Sequence, residues 1–191
     1  MEHDLKYLTM ALIAAATITS CKKDEGPVIP ASPVNEEELI TTIILSFDGQ
    51  AGAFDKELRF TDADGDCGGA PVYHLDTLQA TSTYNASIIL LNGTASPVDT
   101  ISNEVLAEGV DHQFFFQLTG ANITFAYADV DANGDPIGLG STTTTGAAST
   151  GTLKVTLRHQ PDKNASGVSS GDITNAGGET DIEVTFPIVV E

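Results

Sequence analysis

The chain contains no tryptophan, and aromatic residues make up only 6% of its 191 positions. This shortage of large flat rings disfavours a sugar-stacking platform. Positive charge is also scarce, since 8 Lys and Arg residues stand against 27 Asp and Glu residues, for a formal net charge of −19. The imbalance argues against nucleic-acid binding and against docking on anionic lipid, because both need basic side chains. It favours cationic partners, including metal ions.

Cysteine is nearly absent as well, with only Cys21 and Cys67 in the chain. If Cys21 is modified, Cys67 has no partner for an intramolecular disulfide, and the fold must depend on core packing. We expect no His-Glu-x-x-His helix, no phosphate-binding loop and no Gly-x-Ser-x-Gly elbow in this chain. Cys67 itself stands in an acidic loop, which disfavours a reactive thiolate. We therefore expect no enzymatic activity.

The first apolar run, Leu8–Ile18, is too short to span a bilayer and fits the core of a signal peptide. Small residues follow this run and lead directly to Cys21. This pattern resembles the bacterial lipobox, in which the cysteine receives a diacylglycerol and the chain is cut just before it. The resemblance implies a lipoprotein signal peptide over residues 1–20 and a lipid anchor at Cys21. The alternative is a cleaved secretory peptide followed by an incidental cysteine.

Four charged residues follow the cysteine, namely Lys22, Lys23, Asp24 and Glu25. A cysteine followed by lysine and then acids resembles the lipoprotein export signal of Bacteroidota, which directs lipoproteins across the outer membrane. The resemblance implies an outer-membrane lipoprotein exposed at the cell surface, and a periplasm-facing anchor is the alternative. Residues 21–35 would then form a lipidated flexible tether, because the prolines within Gly26–Val34 block regular pairing.

From residue 36 onward the chain shows almost entirely the patterning of strands. The predicted strands are Leu39–Phe47, Glu57–Thr61, Val72–Leu78, Tyr84–Leu91, His112–Leu118, Asn122–Val130, Leu153–His159 and Ile182–Val190. Residues 36–191 are therefore predicted to form an all-β fold, an antiparallel immunoglobulin-like β-sandwich. Ser102–Glu108 predicts one short helix crossing between strands. Thr142–Gly151 and Lys163–Gly178 are rich in small and polar residues and predict long surface loops.

Two acidic segments carry oxygen ligands at alternate positions, as calcium loops do. The residues are Asp62, Asp64 and Asp66 in the first segment, and Asp129, Asp131 and Asn133 in the second. Neither segment has the glutamate that closes an EF-hand loop at its twelfth position. Calcium binding outside an EF-hand is one interpretation. The other is a pair of hairpin turns, because Asp-Gly and Asn-Gly favour the backbone conformations of tight turns.

Acidic residues also crowd the segment before a histidine. The predicted metal ligands are Glu104, Glu108, Asp111, His112 and His159. Glu104, Glu108 and His112 are four residues apart, so a continuous helix would align them, although Gly109 is expected to end it first. Imidazole with carboxylates suits zinc, copper, iron or manganese. The alternative is a pair of hydrogen-bonded structural histidines at the rim of the sandwich.

The segments Asp111–Phe116, Thr156–Lys163 and Gly171–Phe186 resemble a family of small Bacteroidota lipoproteins, often labelled type 1 periplasmic-binding-fold proteins. The resemblance spans most of the chain after Cys21, and the third segment is its most specific part. It implies a partner among TonB-dependent outer-membrane receptors and a role in nutrient or metal uptake. The label conflicts with the residues, because that fold needs two α/β lobes with many helices.

These observations predict a surface lipoprotein that captures a ligand, a metal ion or metal complex, for a TonB-dependent transporter. The alternative from another class is a structural or adhesive immunoglobulin-like module without catalytic activity.

Overall fold

Two antiparallel β-sheets face each other in the structure, a computed structural model that describes residues 39–63 and 68–191. The predicted signal peptide, the lipid anchor Cys21 and the tether with its export signal lie outside the described residues. The same is true of Asp64, Asp66 and Cys67. No helix in the described ranges has the length and hydropathy needed to cross a bilayer.

Nine strands and one short α-helix make up the regular structure of the described ranges. The strands are β1 (Thr42–Gly49), β2 (Lys56–Thr61), β3 (Val72–Leu75), β4 (Thr83–Leu91), β5 (His112–Thr119), β6 (Ile123–Tyr127), β7 (Gly140–Thr145), β8 (Ser149–His159) and β9 (Glu179–Val190). The helix is α1 (Ser102–Ala107), between β4 and β5. One sheet has the order β3-β2-β1-β4-β7-β6, and the other has the order β5-β8-β9.

The core lies between the two sheets and is built by alternate residues of each strand. Inward-facing side chains of β1, β4, β8 and β9 form one cluster, whose members include Leu45, Tyr84, Leu90, Val155 and Phe186. Each fully buried side chain of this kind contributes about 1.5–3 kcal/mol relative to its exposed state. The predicted antiparallel β-sandwich with one crossing helix is confirmed, with six and three strands rather than the four and three of immunoglobulin constant domains.

The predicted loop at Thr142–Gly151 is wrong, because β7 ends only at Thr145 and β8 begins at Ser149. Threonine is β-branched and suits a pleated strand. Three alternate side chains of β7 are buried, namely Ser141, Thr143 and Thr145. The buried Thr145 hydroxyl donates to the Gln79 carbonyl at 2.6 Å. Its hydrogen bond offsets the cost of burying a polar group, so a polar segment forms an inner strand.

Residues 160–178, here named the capping loop, cover the outer face of the three-stranded sheet. The loop contains the short 3₁₀ turns Val168–Ser170 and Ile173–Asn175. Phe115 points outward from β5 and packs against Val168 and Ala176, and all three residues are 0% exposed. The loop predicted over Lys163–Gly178 is therefore present, but it is a packed layer rather than only a surface loop.

Candidate functional site

One end of the sandwich brings together α1, the start of β5, the end of β8 and the start of β9. The helix is held there by Ile101 and Val105, which are buried in the core. Gly109 follows in a 3₁₀ turn, and a Cβ atom at this position would lie 2.6 Å from Cδ1 of Ile137. A larger residue would require the end of the Ile137 side chain to shift, whereas glycine fits as the chain stands. The chain then enters β5 with His112 at its first position.

His112 has a defined tautomer, because its Nδ1 lies 3.1 Å from the Glu108 carbonyl oxygen. A carbonyl oxygen can only accept, so Nδ1 donates, and Nε2 carries a lone pair when the ring is neutral and a proton when it is charged. That Nε2 lies 3.7 Å from Oδ2 of Asp181, and the two side chains are only 10% and 15% exposed. The Nε2 edge of the imidazole and a carboxylate thus face each other in a largely buried setting.

His159 is the second imidazole at this end. It is opposite His112 in the β5–β8 register. The two rings stack with their centroids 4.9 Å apart and their planes inclined by 22°. Both residues are buried, at 8% and 7% exposed, which places the pair beneath the rim rather than on it.

Asp181 reaches His112 through an irregularity in β9. The β8–β9 register pairs Leu157 with Ile182 and then Arg158 with Thr180, so Asp181 is an extra residue in the ladder. Regular alternation from the inward-facing Val184 would place residue 181 on the outer face. The bulge reverses this and turns the carboxylate toward the core side, as bulges near functional sites often do.

A small pocket of about 30 Å³ lies at this point, with room for about one water molecule. Its lining residues are Ile40, Ile101, Glu104, Val105, Glu108, His112, Leu157 and Asp181. Glu104 and Glu108 are exposed, so the pocket has an acidic rim, an imidazole and apolar walls.

Three of the five predicted metal ligands therefore line one pocket, namely Glu104, Glu108 and His112. His159 stacks on His112, whereas Asp111 is not part of the lining and its carbonyl accepts the Gln160 N–H. In the described ranges, no three His, Cys, Asp or Glu side chains are already gathered in metal-ligating geometry. Metal binding stays a prediction, and Asp181 is the residue that the sequence did not single out.

The second acidic segment contains a buried ion pair. Lys163 of the capping loop donates from Nζ to Asp131 Oδ2 at 2.8 Å, and the two side chains are 4% and 0% exposed. The same ammonium donates to the carbonyl oxygens of Gly109 at 2.6 Å and Pro136 at 2.9 Å. All three donors of the lysine are used, and the ammonium ties together the turn after α1, the β6–β7 connection and the capping loop.

The side chain of Asp131 also accepts hydrogen bonds from backbone N–H groups of its own turn. Its Oδ1 accepts the N–H groups of Asn133 and Asp135 at 2.8 and 3.0 Å. Burial alone would raise the pKa of this carboxyl, but the hydrogen bonds from Lys163 and from the backbone outweigh it. The pKa of Asp131 is consequently held below its usual value, and the side chain is ionised at neutral pH.

These contacts bear on the predicted calcium loop around Asp129 and Asp131. Asp129 accepts the N–H groups of Gly138 at 2.8 Å and Gly140 at 2.9 Å. Gly134 has a positive φ of 90°, and its N–H bonds back to the Asp131 carbonyl, as a tight turn requires. The hairpin interpretation accounts for these contacts. The positive charge beside Asp131 is the ammonium group of Lys163. In the first acidic segment Asp64 and Asp66 lie outside the described residues, and calcium binding with Asp62 stays a prediction.

A second cavity, of about 80 Å³, lies where the open edges of the two sheets meet. Phe116 and Phe125 stack there with centroids 4.5 Å apart. Behind them the Tyr127 hydroxyl donates to the Phe114 carbonyl at 2.6 Å and accepts from Gln113 at 3.2 Å. Burial raises the pKa of Tyr127, against the Gln113 hydrogen bond and with a smaller contribution from the Asp129 charge.

The expectation that the chain lacks a Gly-x-Ser-x-Gly motif is wrong, because the segment Gly167–Gly171 has this spacing. Its serine lies in a 3₁₀ turn of the capping loop, between residues with left-handed backbone at Gly167 and Gly171. An elbow instead joins a strand to a helix. The spacing alone therefore adds no argument for hydrolysis.

Comparisons with protein-family models, with curated proteins and with solved structures found no match to this chain. The function has to be inferred from the pocket and from the sequence.

Proposed function

We propose that this protein is an outer-membrane lipoprotein, anchored through Cys21 and displayed at the cell surface, that captures a metal ion for a TonB-dependent transporter. The main evidence that the ligand is a metal ion comes from the pocket at the end of the sandwich. It combines the Nε2 lone pair of His112 with a buried carboxylate and an acidic rim. The net charge of −19 adds a long-range attraction for cations. The proposed role is capture without catalysis.

The proposed cellular location is supported by the sequence alone. The short apolar run ending at Cys21 supports lipidation, and the charged residues 22–25 support surface export. A Cys21→Ala variant should escape lipoprotein processing and leave the membrane fraction. Unchanged mass and unchanged membrane partitioning of this variant would contradict the anchor. Protease shaving of intact cells should digest the wild type but spare a variant with Asp24→Ala and Glu25→Ala.

The uptake role is tested in cells grown at limiting zinc or manganese. Deleting the gene should lower the cell-associated metal and the growth rate, and re-expression of the wild type should restore both. A soluble Cys21→Ala form should fail to complement, because capture has to occur beside the transporter. If the deletion strain matches the wild type under limitation of each metal, the uptake role is wrong.

A structural or adhesive module is the second candidate, and one observation favours it. The edge strand β3 exposes Val72, Tyr73 and Leu75, at 68%, 41% and 41% of their surface. Unpaired edges with apolar side chains are suited to pairing with a strand of another protein. Copurification of a stoichiometric protein partner that is lost in Tyr73→Lys, with no metal retained, would favour this role over metal capture.

A further inference from the structure

Asp181 and His112 face each other at the pocket. The Glu108 carbonyl fixes an N–H of His112 on Nδ1, so Nε2 is the nitrogen that faces Asp181 Oδ2 across 3.7 Å. A proton on Nε2 makes this contact an ion pair, and a divalent metal ion in the place of that proton would bind both atoms. A backbone carbonyl on the far nitrogen is also the usual support of a metal-bound histidine.

The bulge in β9 provides an independent indication of function. It places Asp181 out of the alternation that its neighbours Ile182 and Glu183 follow, and it does so only at the pocket. Glu183 keeps to the outer face, where it bonds Lys154 at 2.9 Å. The irregularity aims one carboxylate at one imidazole, and bulges that re-aim a functional side chain are common.

We propose that His112 Nε2 and Asp181 Oδ2 are the preformed pair of ligands for a bare divalent transition-metal ion, completed by a rim glutamate of α1 and by water. The proposal rests on the proposed function and narrows its ligand class. A metal bonded to both atoms at about 2.1 Å would hold them about 3.4 Å apart at the tetrahedral angle. The observed 3.7 Å is close to that separation.

The size of the pocket suits a bare ion. Its volume of about 30 Å³ has room for one ion or one water molecule. Glu104 and Glu108 are exposed, and a change of side-chain rotamer can bring either carboxylate to an ion held by the preformed pair. Imidazole with carboxylates favours zinc or manganese over calcium, which prefers six to eight oxygen ligands. A site with few protein ligands and bound water also releases its ion readily, as transfer to a transporter requires.

The test is calorimetric titration of the full-length protein, purified in detergent and stripped with a chelator, using zinc, manganese and calcium chlorides as probes. We expect one zinc ion per chain and much weaker calcium binding. Asp181→Asn and His112→Gln should each raise the zinc Kd by at least roughly tenfold. Glu183→Gln, the outward neighbour on the same strand, should leave it within about twofold of the wild type. The double variant with Glu104→Gln and Glu108→Gln should have an intermediate effect.

Nitrogen-detected NMR of the histidines gives a second readout that does not depend on affinity. Zinc should shift Nε2 of His112 and leave Nδ1 in its protonated position. Circular dichroism of each variant establishes that the sandwich is folded. The proposal is overturned if zinc does not bind, if Asp181→Asn binds as the wild type does, or if Glu183→Gln weakens binding equally. If zinc does not bind, His112 and Asp181 form an imidazolium–aspartate ion pair instead of a metal site.

The two proposals fail separately. If zinc binds through Asp181 and His112 but deletion of the gene leaves metal uptake unchanged, the transport role is wrong and the site stands. If uptake depends on the gene and Asp181→Asn complements the deletion fully, the transport role stands and the site is wrong.

Discussion

Replacing Lys163 with methionine should remove the most consequential polar contact in the described part of the chain. Methionine has a similar length but no charge, so Asp131 would keep a buried carboxylate that has lost its cation. The carbonyl oxygens of Gly109 and Pro136 would lose their donor at the same time. Removing one partner of a buried ion pair typically costs about 3–5 kcal/mol. We expect a loss of this size in the free energy of unfolding.

Urea unfolding followed by far-ultraviolet circular dichroism measures this loss, and it corresponds to a fall of roughly 2 M in the midpoint. Lys154→Met is the matched control, because the Lys154–Glu183 pair has the same chemistry but is 40% and 47% exposed. Exposed pairs contribute about 0–1 kcal/mol. The double variant Lys163→Met with Asp131→Asn should cost less than the sum of the single changes. If Lys163→Met costs no more than Lys154→Met, the buried lysine does not hold these segments together.

Three further outcomes are expected from the contacts described above. Because the pKa of Asp131 is lowered in the folded state, its contribution is complete above about pH 4 and is lost as the pH falls through its folded pKa. The free energy of unfolding should therefore decline in acid, and less so in Lys163→Met, and an equal decline in both proteins would refute this. Gly138→Ala should lower the free energy of unfolding in urea more than Gly134→Ala does. Both glycines have φ near +90°, but only at Gly138 would a Cβ meet Phe114 and Tyr127, each at 2.9 Å. Equal losses would mean that the space around Gly138 is not limiting. Tyr127→Phe should cost about 1–3 kcal/mol, because the Phe114 carbonyl loses the hydroxyl donor and Gln113 keeps only its bond to the Val168 carbonyl. Tyr73→Phe, at a position 41% exposed, should be nearly neutral. Similar costs for the two variants would refute the contribution of the Tyr127 hydrogen bonds.

Alternation of apolar residues was enough to find the strands with apolar inner faces. In the predicted strand Leu153–His159, the alternate residues Leu153, Val155 and Leu157 are all buried, and the short helix begins at Ser102 as predicted. β7 was missed because its inner face consists of serine and threonine, whose burial depends on partners that only the fold provides. The alternation of apolar residues thus predicts a strand where its buried side chains are apolar. It does not predict a strand whose buried side chains are serine and threonine.

The site was predictable only in part, for a different reason. Glu104, Glu108 and His112 are neighbours in sequence, and local spacing suggested that they lie together. Asp181 follows them by about seventy residues and sits on a strand whose alternation would point it outward. Only the one-residue bulge reverses its direction, and no turn residue in the sequence marks that position. Lys163 was missed because a lysine in a glycine-rich segment ordinarily signals a solvated loop.

Ile40 is both a wall of the pocket and nearly the first described residue of the chain, directly after the half-exposed Leu39. β9 runs away from this end for 12 residues. That is about 40 Å at the rise of a strand, and Val190 pairs with Leu78 at the far pole. Ile40 leads directly into β1, so the pocket shares a wall with the start of the six-stranded sheet. A change of this one side chain would alter the pocket at the end of the sandwich opposite Leu78.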